Sequence, residues 1–239
     1  MGANFPPMTQ STTEGAEQTI AILGGTGDQG LGLALRFAQA GRTLVIGSRL
    51  PERAEAAAHE VEALVPGAKV TGAGNPEATA RAAIVILSVP FEHMAGTTKT
   101  VKDSLRPGQI VVSMGVPLAA AIGDGAVRTL GVWQGSCAEL VASLTPSGVH
   151  VVSAFQNVSA HRLRALEQPV DCDVVVSGAP EPRKAVMALC ALVPGLRAVD
   201  GGPLANARLV EPLTALLIGL NIRYKVPAGI GIRFTGLPD

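Results

Sequence analysis

The feature that most constrains this chain is a short apolar run, residues 19–24, that passes directly into Gly25-x-Gly27-x-x-Gly30. Glycines at that spacing, between a strand and a helix, commit the backbone to a particular job. One makes a tight turn, the next lets backbone approach a pyrophosphate, and the last lets the helix pack on the strand. The helix that opens there offers free N–H groups and a partial positive charge to phosphates. Gly25, Thr26, Gly27, Asp28, Gln29 and Gly30 are therefore read as the phosphate cradle of a dinucleotide site. Asp28 is the awkward member, because a carboxylate repels a pyrophosphate; turned outward, or capping the helix start, it is tolerated.

The end of the second strand narrows the cofactor. Dinucleotide sites for NAD carry an acid there, roughly twenty residues beyond the loop, to bind the ribose 2′-hydroxyl. This chain has Gly47-Ser48-Arg49 instead, no acid until Glu52, and Arg53 one helical turn after Arg49. Two converging guanidiniums and a hydroxyl suit a 2′-phosphate through forked, charge-assisted hydrogen bonds. NADP(H) is the cofactor expected; the alternative is a solvated pair of arginines at the start of a charged helix.

The remaining pattern agrees with such a unit. Strand-like runs at residues 43–47, 68–71, 83–89, 109–113, 149–154 and 173–177 alternate with helical runs at about 30–40, at 51–64, after Asn75 and after Ala179. Alternation of this kind builds βαβ units and a parallel sheet. With 47% apolar but only 3% aromatic residues, the core must be made of Ala, Val, Leu and Ile, which suits strands covered on both faces. The expected fold is α/β: a Rossmann-type doubly wound parallel sheet over residues 19–178. A flexible tail over 1–18 precedes it. A smaller, mainly helical domain over 179–239 follows, with a short strand at 196–199, a long helix from about Pro203 and a last run at 229–234.

Charge and cysteine usage exclude several classes. Lys plus Arg and Asp plus Glu number 19 each, so no global field favours nucleic acid or an acidic membrane. Cys137, Cys172 and Cys190 lie far apart, and no histidine stands at ligand spacing from them. Neither a disulfide framework nor a metal site is expected, and a reducing cytoplasm fits. The first eighteen residues lack a basic start followed by an apolar run, so no secretory signal is read. The most apolar late stretch, 204–220, is broken by Arg208, Glu211 and Pro212, which a buried helix tolerates better than a membrane span.

Taken in order, several pieces resemble the coenzyme F420-dependent NADP oxidoreductases, which pass a hydride between a 5-deazaflavin and nicotinamide. The pieces are Ile22-Leu23-Gly24-Gly25-Thr26-Gly27, Gly47-Ser48-Arg49, Val89-Pro90-Phe91-Glu92-His93, Val151-Val152-Ser153-Ala154, Gly202-Pro203-Leu204 and Arg208-Leu209-Val210-Glu211. The likeness runs from about Ile20 to Phe234, and the ordered set is far more specific than the glycine loop alone. It implies Thr26, Gly27, Asp28 and Gln29 on the pyrophosphate and Ser48, Arg49 and Arg53 on the 2′-phosphate. Val89, Pro90, His93, Val116 and Ala160 would line the rest of the NADP site. The deazaflavin would stack on the nicotinamide against Gln156, Asn157 and Ser159 and the second domain, and a homodimer is implied. Archaeal members have histidine where this chain has Gln156, and Asn157, Val158 and Ser159 replace a Thr-Ile-Pro run. Glutamine is no acid at neutral pH, so no general acid is assigned.

Hydride transfer between two bound rings asks for closeness, alignment and exclusion of water more than for a base, and no Ser–His–Asp set is visible. Gln156 and His93 are the candidates for positioning the rings. His93 is read either against the nicotinamide ribose or amide, or as a helix-start histidine bonded to backbone. His161 stands either on the deazaflavin side or at the surface, and His59 and His150 are read as structural. The acidic tail of the deazaflavin calls for a local basic mouth. Arg162, Arg164, Arg208, Arg223 and Lys225 are available, and Arg208, in an otherwise apolar helix, is preferred. Two further readings stay open. One is an NADP-dependent reductase of imine or keto substrates, for which Lys184, Lys225 and Glu211 are the available catalytic groups. The other is a non-catalytic NADP(H) sensor.

Overall fold

Each of the apolar runs named above as a strand, from residue 19 to residue 199, forms one, with ends shifted by a residue or a few. The computed structural model describes residues 18–237, so all but Gln18 of the expected tail lies outside the described residues. The strands are β1 (Ile20–Leu23), β2 (Thr43–Ser48), β3 (Lys69–Gly74), β4 (Ile84–Leu87), β5 (Ile110–Ser113), β6 (His150–Ser153), β7 (Cys172–Gly178) and β8 (Leu196–Asp200). They form one eight-stranded sheet in the order β3-β2-β1-β4-β5-β6-β7-β8. β1 to β6 are mutually parallel.

Helices cover both faces, which is why β1 and β4 are buried at every position. On one side Ile20, Ile22 and Ile86 pack with Leu33 and Phe37 of α1 (Asp28–Gln39) and with α2 (Pro51–Leu64). On the other, Ala21, Leu23 and Val85 meet α3 (Asn75–Arg81), α4 (Phe91–Val101) and α5 (Cys137–Leu144). The order in which strands are added reverses between β1 and β4, and in open α/β sheets ligands bind in the crevice beyond the carboxyl ends at that point.

The boundary expected near Gly178 falls within this sheet. β7 pairs antiparallel to β6, with Val152 opposite Gly178 and Ser153 opposite Ser177. After α7 (Pro180–Ala191), β8 pairs parallel to β7. The register leaves residues 172–176 projecting past the carboxyl edge of β6, so β7 and β8 stand as a wall beside the crevice. Only the segment after Asp200 lies outside the sheet. There the long helix expected from Pro203 is interrupted, giving a 3-10 turn (Leu204–Asn206), α8 (Ala207–Val210) and α9 (Leu213–Tyr224). Pro212 has no N–H with which to continue the ladder, and the helix restarts from it. Among the described residues, no helix is long and apolar enough to cross a membrane.

A buried arginine fixes the crevice floor to the sheet. Arg36 on α1 is 2% exposed and donates to five carbonyls, those of Arg162, Leu163, Ala165, Leu166 and Gln168. These carbonyls lie at and after the end of α6 (Ala160–Arg164), so the cation is satisfied by peptide dipoles rather than by a carboxylate. Close packing accompanies it: a Cβ on Gly32 of α1 would fall 2.7 Å from Cβ of Leu163.

Candidate active site

The glycines divide their labour one residue earlier than the spacing suggests. Gly24, with φ of +80°, makes the turn, and a Cβ there would lie 2.4 Å from the Ser88 carbonyl oxygen. Gly30 packs helix on strand, since its Cβ would meet the Gly24 oxygen at 2.7 Å. Gly27 is open, with only the Gly24 oxygen at 3.5 Å, and its backbone can be approached from the crevice. Asp28, the first residue of α1, turns outward, 88% exposed and 4.0 Å from Arg164 Nη1. Gln29 spends its amide Nε2 on the Val158 carbonyl at 2.8 Å and, more weakly, on Phe155 at 3.4 Å. Its amide is thus engaged with the loop of residues 155–158.

One cavity of about 450 Å³ opens from this loop toward β2 and α2. Ser48 turns the corner, its Oγ accepting from the Leu50 N–H at 3.2 Å. Arg49 and Arg53 are exposed on the wall and form no ion pair among the described residues. Asn75 contributes a buried Oδ1 that has no hydrogen-bond partner among the described residues. A loop that a Cβ leaves open, two unspent guanidiniums and an orphan acceptor together fit a phosphorylated nucleotide. His93 is placed here as well, and not on the wall of the neighbouring cavity. Helical rotation of about 100° per residue explains the difference: Phe91 and Glu92 face the neighbouring cavity, and His93 swings to the arginine side.

A second cavity, also about 450 Å³, shares Gly27, Val89 and Pro90 with the first. It continues along the ends of β4 and β5 to Met114, Val116 and, at its far wall, Gln156. Past Gln29 and Gln156 lies a smaller one of about 230 Å³, bounded by residues 156–160, α9 and Gly229 with Ile230. Ala160 and Ser159 belong to this smaller space, Val116 to the larger.

The loop between them is held from several directions. Phe155 adopts φ of +67°, a conformation costly for a residue with a side chain, and its buried ring packs edge-on to Phe37 at 6.3 Å between centroids. Gln156 is 7% exposed; its Nε2 donates to Ser153 Oγ and its carbonyl accepts from Thr214 Oγ1 at 3.1 Å. Asn157 donates to the Asp173 carbonyl at 2.8 Å. Ser159 caps α6 and donates to the Ala228 carbonyl at 2.8 Å.

Arg208 is not on the walls of these cavities. It pairs with Glu139 at 2.5 Å, and Glu139 also bonds Ser136, the N-cap of α5. Its neighbour Glu211 is 1% exposed and accepts from the N–H groups of Cys137 and Ala138 at 2.8 and 3.0 Å. The two together pin α8 to the start of α5. Lys184 is paired with Glu181 at 2.9 Å on the surface, and Lys225 is the left-handed cap of α9. Among the described residues no cluster is suited to a metal.

Burial raises the Glu211 carboxyl from 4.5 to about 7, against the lowering effect of its two N–H donors. The folded protein therefore holds a proton there that the unfolded chain releases above its own lower pKa. Stability should fall as pH rises from 4.5 to about 7 and level off beyond, by about 3 kcal/mol from this group. Denaturant melts across that range should show the slope, and Glu211→Gln, although less stable, should flatten it. A slope unchanged in the variant would place its source elsewhere.

The fold and the site define a class: a Rossmann-type α/β protein whose switch-point crevice carries cavities fit for a phosphorylated dinucleotide. The family model described as NADP oxidoreductase, coenzyme F420-dependent, matches residues 19–117. The F420-dependent NADP reductase of Methanocaldococcus jannaschii is 48% identical over 223 residues, spanning 91% of this chain and 98% of the relative. That of Methanothermobacter thermautotrophicus is 44% identical, spanning 92% and 96%. A candidate F420-dependent NADP reductase from Arthrobacter sp. FB24 superposes with a TM-score of 0.74 at 25% identity, covering 91% of this chain and 99% of its own. The chain belongs to the F420-dependent NADP reductase family.

Proposed function

We propose that this chain transfers a hydride between NADP(H) and coenzyme F420, in the sense F420H2 + NADP+ = F420 + NADPH + H+. The observation that carries this is the continuity of the two large cavities around Gly27, Val89 and Pro90 in a chain of this family. A dinucleotide laid along them has its phosphorylated ribose at the arginines and its reactive ring between Pro90 and Gln156. When bound, the two coenzymes supply the hydride donor and acceptor, and the protein's part is placement.

In this reading the backbone of residues 25–30 holds the pyrophosphate, and Ser48, Arg49 and Arg53 hold the 2′-phosphate with His93 beside them. Val89, Pro90 and Val116 line the ring, with Ala160 next to it. Gln156, Asn157 and Ser159, with the small cavity behind them, receive the deazaflavin. Arg208 is left out because its guanidinium is committed to Glu139. The loop's apolar and amide surroundings exclude water and offer no acid; the proton of the net reaction goes to solvent.

The reading extends to assembly and setting. α9 exposes Leu216, Ile222 and Tyr224 at 56%, 67% and 68%, and Leu216 and Ile222 join Val127 around an open apolar hollow. A homodimer covering that face is the simplest way to remove it from water. A reducing cytoplasm suits three unpaired, buried cysteines. The direct test is spectroscopic. Adding NADPH to protein and oxidised F420 should bleach the deazaflavin absorbance, and no change at any of several pH values would end the proposal.

A further inference from the structure

We infer that Gln156 is the specificity-determining residue for the nicotinamide carboxamide, reading its N–H through a fixed acceptor. The inference rests on the proposed function and adds what one atom of the site does.

Gln156 lies at the far wall of the cavity that the dinucleotide's reactive ring occupies in that reading. Its amide has two ends of opposite character, an NH2 donor and a carbonyl acceptor. The donor end is already engaged, because Nε2 donates to the hydroxyl of Ser153, a residue with no exposed surface on β6. The acceptor end, Oε1, is buried and has no hydrogen-bond partner among the described residues. A buried acceptor without a partner costs stability, and the fold takes trouble to keep this one in place. Phe155 holds its left-handed backbone just before it, Thr214 clamps the Gln156 backbone carbonyl, and Gln29 ties the loop to α1 through Val158.

An acceptor so held favours a ligand that brings an N–H. The nicotinamide ring carries one such group, its carboxamide NH2, whose direction also decides which face of the ring is turned to a hydride partner. Ser153 acts through Gln156, so it is a positioning residue: its hydroxyl holds Nε2 and leaves Oε1 as the end without a partner. A histidine at this position would offer an acceptor only while neutral, since an imidazole exchanges acceptor for donor as it protonates. Glutamine offers the same acceptor at every pH at which the protein is folded.

The test is binding, measured by calorimetry on the full chain, with three reduced dinucleotides: NADPH, its thionicotinamide analogue, which keeps the NH2, and its 3-acetylpyridine analogue, which replaces NH2 by methyl. The wild type should bind the first two alike and the acetylpyridine analogue about tenfold more weakly. Gln156→Met should bind all three alike, with the loss confined to the two amides. Gln156→Glu keeps an acceptor in both orientations and should keep the discrimination. If Gln156→Met discriminates as the wild type does, or Gln156→Glu loses discrimination while its fold is intact, the inference is overturned. If the Met substitution instead lowers only F420 affinity, the inference fails and the proposed function stands. A wild type that binds no NADPH would remove both.

Discussion

Replacing Arg49 and Arg53 together by alanine should lower NADPH affinity by roughly 100-fold while changing NADH affinity by about threefold or less. Both guanidiniums stand on the wall of the nucleotide cavity without an ion pair among the described residues, so neither must be released from a carboxylate before it meets a phosphate. Charge-assisted, forked bonds to a phosphate are among the strongest single contacts a side chain makes. Exposure tempers them, because salt screens charges that face water. NADPH affinity of the wild type should therefore weaken as ionic strength rises, with NADH affinity much less sensitive. Titrating both nucleotides into both proteins at fixed salt gives the comparison. A preference for NADPH that survives the double substitution would show that the 2′-phosphate is recognised by something else.

The second large effect is expected at Asp173. This carboxylate, with no exposed surface, accepts from Arg197 at 2.9 and 2.7 Å, from Arg233 at 2.7 Å and from the Phe234 N–H at 2.6 Å. Its own N–H reaches the Ile232 carbonyl at 2.7 Å. The Arg197 guanidinium above all, with the Phe234 N–H and Arg233, holds its carboxyl well below the usual carboxylate range. Asp173→Asn should cost about 3 kcal/mol, near the lower end for a broken buried pair, because both arginines keep some water. For a chain of this size that is roughly 6 to 10 °C in melting temperature. The sign with pH is fixed: the wild-type contribution is complete above the unfolded carboxylate pKa near 4 and is lost as pH falls toward the lowered folded value. The variant should thus converge with the wild type in acid. A variant that melts with the wild type at neutral pH would mean that residues 231–234 are held by other contacts.

Much of the fold is legible in the sequence. The strand runs, the helix from Pro51 to Leu64 and the glycine loop are local patterns, each written in a few consecutive residues with a period or a breaker at its ends. That Ser48, Arg49 and Arg53 line one cavity is legible because they follow a strand end at which chain geometry permits few outcomes. Other features depend on partners distant in sequence. Arg36 is an ordinary basic residue on a helix, and only the fold brings the carbonyls of residues 162–168 around it. Glu211 looks like a candidate catalytic carboxylate until α5 is seen to start on it. His93, read either against the nicotinamide or as a helix-start residue, lines the cavity that holds Arg49 and Arg53, because a helix start separates it from Phe91 by about half a turn. The left-handed Phe155 carries no compositional mark, since it is neither glycine nor asparagine. Helices α4 and α5 and the direction of β7 are hidden for a related reason: the pattern of β7 is that of any buried strand, and direction is settled by the connection.

That reversed strand has a consequence for how the two ends of the chain communicate. β7 begins beyond the carboxyl edge, so Asp173 meets both the loop at Asn157 and the incoming residues 231–234. Gly229 and Ile230 of the same segment border the small cavity. Seating of the C-terminal segment and occupation of that cavity are thus linked equilibria, and linkage is reciprocal. Whatever factor a bound ring adds to the seating of the segment, the seated segment adds to the affinity for the ring. Residues 229–234 are in this sense an effector carried in the same chain.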